Sequence, residues 1–260
     1  MTKPTVVLKE IKDEVDPGVL LYGCSVYVIG GDYYFNRLFA SAQAKKAENI
    51  MEADLVVFTG GADVTPSKYG QVDHPKTHYN LERDEREEAI FKTCVEFGIP
   101  MVGVCRGAQF LHVMNGGKLF QHVVGHAGCF HPVITSEGEV FDVSSTHHQA
   151  CKLNGHMKVL AMAKTPEGKA IATERHYGPV IQGGKYVIEK EKIEDEVEAF
   201  IYRKTLSLGV QGHPEYEGCP EFTNWFLSLI CSELLDGEYV SVPKPDNHPR
   251  KGFFTRKDVV

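Results

Sequence analysis

The sequence predicts an α/β fold: a doubly wound, mostly parallel central sheet with helices on both faces, plus a small antiparallel strand insertion. Two observations carry this expectation. In the first two-fifths of the chain, short runs rich in β-branched residues alternate with longer runs of helical periodicity. That alternation is the mark of parallel strands joined by crossover helices. In the middle, consecutive strand-like runs joined by turn residues replace the alternation.

The elements follow in order. VVLKEI (6–11) and SVYVIG (25–30) read as strands, and Gly30-Gly31 then breaks the chain. Residues 33–50 place apolar side chains at helical spacing. LVVFTGG (55–61) is a buried strand that ends in glycines. Residues 82–98 begin acidic, as a helix N-terminus favours, and stop at Gly98. PMVGVC (100–105) is another buried strand, and RGAQFLHVMNGG (106–117) a helix stopped by two glycines. VITSEGEVFDVSS, KVLAMAKT, KAIATERHY and VEAFIYRK supply the inserted strands. SLGVQG (207–212) is the last parallel strand, and 221–237 a closing amphipathic helix. Residues 1–237 are expected to form one domain. Residues 238–260, with Pro243, Pro245 and Pro249 among mixed charges, are expected to be an irregular tail. The basic and aromatic residues Arg250, Lys251, Phe253, Phe254, Arg256 and Lys257 read as a solvated part of that tail, with a docking arm as the alternative.

Composition bounds the class. The chain has 260 residues, 42% hydrophobic and 24% charged, ordinary for a globular protein. A net charge of −7 gives no electrostatic reason to expect nucleic acid. No run reaches the ~18 apolar residues a membrane span needs. The first residues carry charges where a signal core would lie. Seven cysteines, an odd number with no CxxC pair, fit free thiols in a reducing compartment. The expectation is a cytoplasmic protein, or one of the host cytoplasm if phage-encoded. The oligomeric state is left open.

Three segments carry chemistry. In G-V-C-R-G (103–107), a buried strand runs into a glycine-flanked turn and then a helix. This is the pattern of a nucleophile elbow, which holds one side chain exposed at a helix N-terminus. The helix dipole there favours a thiolate, so Cys105 is the candidate nucleophile; a buried structural cysteine is the competing reading. Q-G-H-P-E-Y (211–216) follows another apolar strand. If the two strands are neighbours, His213 can exchange protons with the thiol, and Glu215 can fix its tautomer. T-G-G-A-D (59–63) is a glycine turn able to give an N–H from Gly60 or Gly61 to an oxyanion, with the N–H of Arg106 as the second donor. Ligands of open α/β sheets bind at this edge.

Together with ERDERE and THHQ, these motifs resemble the class I glutamine amidotransferase superfamily, and within it the γ-glutamyl hydrolase-like branch, which includes enzymes cleaving γ-glutamyl-γ-aminobutyrate. The resemblance spans about residues 55–235. It implies a flavodoxin-like fold, a triad of Cys105, His213 and Glu215, and an oxyanion hole from Gly61 and Arg106. It also implies substrate contacts from Gly60, Gln109 and the 146–149 segment, with His147, His148 and Gln149. The implied reaction hydrolyses a glutamine or γ-glutamyl amide through a γ-glutamyl thioester, with no cofactor. An ammonia-accepting synthetase or amidoligase is the implied partner. A free-standing hydrolase of γ-glutamyl amines or peptides is the alternative, and a catalytically inactive binding module a third. Two residues depart from the family pattern. Gly212 stands where an aromatic residue is usual, which points to a larger pocket or looser loop. Arg106 follows the nucleophile where an apolar or aromatic residue is common in biosynthetic glutaminases, and its guanidinium is free to bind a carboxylate of substrate or protein.

His122, His126, Cys129 and His131 lie close together in sequence, with His147 and His148 beyond. Their spacing matches no structural zinc pattern, so no metal is expected; they read as pocket rim or loop support.

Overall fold

The computed structural model describes residues 21, 23–165, 168–182, 185–187, 196–235, 239–242 and 253–256. The strand expected at 6–11 lies outside them. In chain order the described elements begin with β1 (Ser25–Val28), α1 (Tyr33–Ser41), β2 (Lys45–Lys46) and β3 (Leu55–Phe58). Then come α2 (Leu81–Phe97), β4 (Met101–Val104) and α3 (Arg106–Met114). The middle holds β5 (Leu119–Phe120), β6 (His122–Val124), β7 (Cys129–Thr135), β8 (Val140–Ser145), β9 (Ala150–Cys151) and β10 (Lys158–Ala163). It continues with β11 (Glu174–His176), β12 (Val180–Gln182), β13 (Lys185–Val187) and β14 (Val197–Tyr202). β15 (Ser207–Val210) and α4 (Pro220–Leu229) close the body.

The main sheet runs β2-β1-β3-β4-β15-β14-β10-β7-β8. The first five strands are parallel, and β15 lies directly beside β4 with Val210 opposite Val104. From β15 onward every pairing is antiparallel. The expected fold class holds. The antiparallel strands are more than a small insertion, because they continue the main sheet across the edge that β15 would otherwise leave open.

Strand alternation assigns the two faces. Leu55 and Val57 of β3 pack with Phe35, Leu38 and Phe39 of α1 and Phe226 of α4. Val56 and Phe58 face the opposite way, onto Phe91 and Cys94 of α2 and Ala108, Phe110 and Leu111 of α3. Successive strand residues point to opposite faces, so β3, β4 and β15, buried on both sides, read as near-continuous apolar runs.

Several boundaries differ from the sequence reading. The helix expected over 33–50 ends at Ser41, because Gln43 adopts a positive φ of 59° and turns the chain toward β2. The closing helix is α-helical only to Leu229 and continues as a π-helix over Ile230–Leu235. Of KAIATERHY, only Glu174–His176 forms a strand, paired with β6. The tail expected to be irregular contains an antiparallel pair, Tyr239–Val242 with Phe253–Arg256. Both segments are rich in aromatic and β-branched residues, which favour strands. The rest of 238–260 lies outside the described residues.

The contact that sets the elbow is between α3 and β3. A Cβ on Gly107 would collide with the carbonyl of Phe58. Gly107→Ala is therefore expected to destabilise the protein by about 1–3 kcal/mol, measured as a lower urea midpoint with an unchanged slope.

Candidate active site

Cys105 ends the turn between β4 and α3 with φ 52° and ψ −112°, a strained conformation for a residue with a side chain. Its own N–H donates to the carbonyl of Val210 on β15 at 2.8 Å, which locks the turn to the neighbouring strand. The N–H of Arg106, at the first helical position, has no acceptor within the helix.

His213 lies just beyond β15. Its N–H donates to Ser144 O at 3.1 Å, and the Ser144 hydroxyl donates to His213 O at 3.1 Å, so β8 holds the loop from both sides. Nδ1 lies 2.7 Å from Glu215 Oε1 and Nε2 2.7 Å from Thr146 Oγ1. The ring stacks on Tyr216, with centroids 4.6 Å apart and planes at 4°. Burial favours the neutral ring, but the facing Cys105 sulfur and Glu215 carboxylate outweigh it and raise His213 to about 10.

The glycine turn completes the arrangement. A Cβ built on Gly60 would sit 3.3 Å from His213 Cε1 and 3.8 Å from Cys105 Cβ, so the three residues meet at one point. Gly61 follows with φ 132°, and a side chain there would strike the Arg83 guanidinium. Arg83 clamps the turn through Gly60 O at 2.9 Å and Thr59 O at 3.0 Å, and pairs with Glu87 at 2.6 Å. Gly60, Gly61, Cys105 and His213 line an open cavity of about 510 Å³, with Gln109, Thr146, His147, His148, Asp63, Asp32 and Tyr34 on its other walls.

The remaining expected contacts divide. Gln109 lines the cavity and donates from Nε2 to Gln149 O at 3.2 Å. His148 lines it and lies 3.1 Å from Asp63. The His147 ring borders the cavity, but Nδ1 faces Gln149 O at 2.9 Å and Nε2 faces Glu198 at 3.4 Å. Gln149 is fully buried behind the wall; its amide donates to Thr77 Oγ1 and Gln121 O.

Both departures from the family pattern find their explanation inside the protein. The Arg106 side chain is buried and paired with Asp84 and Glu87 of α2, with its guanidinium 4.8 Å over the Phe110 ring. It is thereby withdrawn from substrate. Gly212 does not enlarge the pocket. A Cβ there would come within 2.9 Å of Val143 and 3.0 Å of Phe222, which already occupy the space.

Sequence reading placed Thr146 in the 146–149 segment but not as a contact of His213, and gave no role at this site to Arg83, Asp84, Glu87 or Tyr216. The ERDERE run was the available signal. Its spacing sets Arg83 and Glu87 one turn apart on α2, with Asp84 beside them.

The profile of the Peptidase C26 family matches residues 37–215. The chain belongs to the Peptidase C26 family. A Mycobacterium tuberculosis protein whose name provisionally assigns it as a glutamine amidotransferase is 39% identical over 117 residues, covering 36% of this chain and 37% of that protein. The chain thus spans little more than a third of that curated relative's length. Protein NtpR of Enterococcus hirae is 30% identical over 190 residues, covering 64% of this chain and 68% of NtpR. The crystal structure of a Thermoplasma acidophilum protein, provisionally named as part of a GMP synthase, aligns with a TM-score of 0.51 at 16% identity, over 80% of this chain and 94% of that one. That last likeness concerns the fold. In this C26 chain the matched region ends at Glu215, so it contains Gly60, Cys105 and His213.

Arg106→Met leaves the buried Asp84 without its cation and Glu87 with Arg83 alone, and should destabilise the protein by about 3–5 kcal/mol in chemical denaturation. Because the folded pKa of His213 is raised, its contribution to stability is fully present below the ordinary value of 6.5 and is lost as pH rises through about 10. NMR titration of the His213 ring should place its midpoint well above the ordinary 6.5, as for an imidazolium paired with anions. Glu215→Gln should lower that midpoint.

Proposed function

We propose that this C26 protein hydrolyses the γ-amide of glutamine with Cys105 as nucleophile, and hands the ammonia to a separate synthetase or amidoligase. The observation that carries the reading is the meeting of Cys105, His213 and the Gly60 backbone at one point of the cavity, with Glu215 on the far ring nitrogen. Each supplies a part that thiol acyl chemistry requires.

In this reaction His213 receives the Cys105 proton, and the sulfur adds to the γ-carbonyl carbon. The N–H groups of Gly61 and Arg106 hold the resulting oxyanion. His213 then protonates the nitrogen as the C–N bond breaks, releasing ammonia and leaving a γ-glutamyl thioester. Water gives a proton to His213 and attacks the thioester. The sulfur leaves, glutamate departs, and Cys105 recovers its proton. Glu215 keeps the imidazole oriented throughout.

One observation favours a second reading, a free-standing hydrolase of γ-glutamyl amines or peptides. The cavity is about 510 Å³ and open, wide enough for a substrate with a substituent on the amide nitrogen. The inactive-module reading has less support, since the candidate nucleophile, base and orienting carboxylate are all in place.

Glutamate release should be measured with glutamine and with γ-glutamyl-γ-aminobutyrate. The wild type is expected to turn over at least one. Cys105→Ala is expected to lose activity by at least ~10⁴-fold, as removal of a nucleophile does. Full turnover by that variant would overturn the assignment. Turnover of glutamine only when a ligase is added would favour the ammonia-donor reading.

A further inference from the structure

Behind the cavity wall, His126, His131, His147 and Glu198 converge. Each offers one ligand atom, and these atoms all lie within 4.8 Å of one another. All four residues are at least 96% buried. We propose that this cluster is a structural site for a divalent transition metal, with Zn²⁺ as the best-matched ion. The inference is independent of the hydrolase reading.

Four of the six distances between ligand atoms lie near those of the ion, and none exceeds 4.8 Å. Four ligands about 2.0–2.1 Å from a tetrahedral Zn²⁺ stand about 3.3 Å apart. His126 Nδ1 is 3.1 Å from His131 Nε2 and 3.5 Å from Glu198 Oε1. Glu198 Oε1 is 3.4 Å from His147 Nε2 and 3.9 Å from His131 Nε2. Despite that closeness, His147 Nε2 and Glu198 Oε2 make no hydrogen bond. Buried polar atoms left without partners are costly, and a cation placed between the ligands removes the cost.

The outer contacts set the tautomers for ligation. His126 donates from Nε2 to Glu196 Oε1 at 2.9 Å, and His147 from Nδ1 to Gln149 O at 2.9 Å. His131 Nδ1 faces Pro132 O at 3.3 Å. Protons on those outer nitrogens leave three inward lone pairs, the arrangement metal-binding histidines share. Glu196 is itself held by the N–H groups of Ile171 and Ala172, both at 2.7 Å. A dication also balances the two buried carboxylates, Glu196 and Glu198. With four protein ligands the site is closed, which makes it structural.

The sequence spacing concealed this set because it divides between two groups. His122 instead stacks on His74 and meets His148 and His176 at an angle, and the Cys129 thiol turns to the carbonyls of Gly125 and His126. The ion would join the loop before β7, strands β7 and β14, and the 146–149 segment. That segment carries Thr146, the contact of His213.

The competing occupant is a proton on His126. To separate the two, the full chain is freed of metal by chelation and titrated with Co²⁺ and Zn²⁺. The expected result is one equivalent per chain, a four-coordinate Co²⁺ visible spectrum displaced by Zn²⁺, and a higher melting temperature with Zn²⁺. Cys105→Ser should bind equally. Glu196→Gln, which leaves all four ligands in place, should weaken binding by about 10–100-fold. His131→Gln should abolish the spectrum. No Co²⁺ spectrum and no Zn²⁺-dependent melting shift in the wild type would overturn the proposal and leave the protonated network. So would binding that survives His131→Gln or disappears in Cys105→Ser.

Discussion

The close approach of α3 to β3 governs the geometry on which everything else rests. Cys105 can hold its positive φ only because the next helix begins at once and presses its Gly107 backbone against Phe58 O. The same packing carries the start of α3 to the glycine turn that follows β3. The result is a sulfur at a helix N-terminus, beside a free N–H and a second backbone strand end. Backbone strain at a candidate site persists when the surroundings over-determine it, as they do here.

Charge holds the same region from below. The buried Arg106 guanidinium joins α3 to Asp84 and Glu87 of α2, and Glu87 continues to Arg83, which grips the carbonyls of Thr59 and Gly60. Asp84 also accepts from Thr65 N at 2.7 Å. One ionic network therefore ties both candidate oxyanion donors, Gly61 and Arg106, to a single helix. A buried ion pair adds little net stability, but breaking it leaves unpaired charge, so its effect is to fix one geometry. The side chain after the candidate nucleophile is thereby a structural part, and Asp63, His148 and Tyr34 stand on the outer walls of the cavity.

The antiparallel half of the sheet has a separate part in the site. β8 holds the His213 loop through Ser144, and the segment after β8 brings Thr146 to the imidazole. β14 carries Glu198 to the three histidines behind the wall. The strands that extend the sheet are thus also the support of the candidate base, His213.

The parallel elements were legible in the sequence because a strand buried on both faces must be continuously apolar, and a tight strand-to-helix turn requires glycine. LVVF, MVGV and SLGV show both features. The motif set around Cys105, His213 and Gly60–Gly61 was legible for the same reason, since each segment follows such a strand. Local pattern could not show that Arg106 turns inward, that Val143 and Phe222 fill the space beside Gly212, or that His147 joins His126 and His131. Those outcomes depend on side chains from separate segments meeting in the folded core, as Glu87 and Glu198 do with Arg106 and His126, 19 and 72 positions away. The sequence by itself determined which segments are strands, helices and sharp turns, because backbone propensity and burial are local. Tertiary structure alone decided which charges pair and which histidines converge, because those energies arise only when distant segments exclude water together.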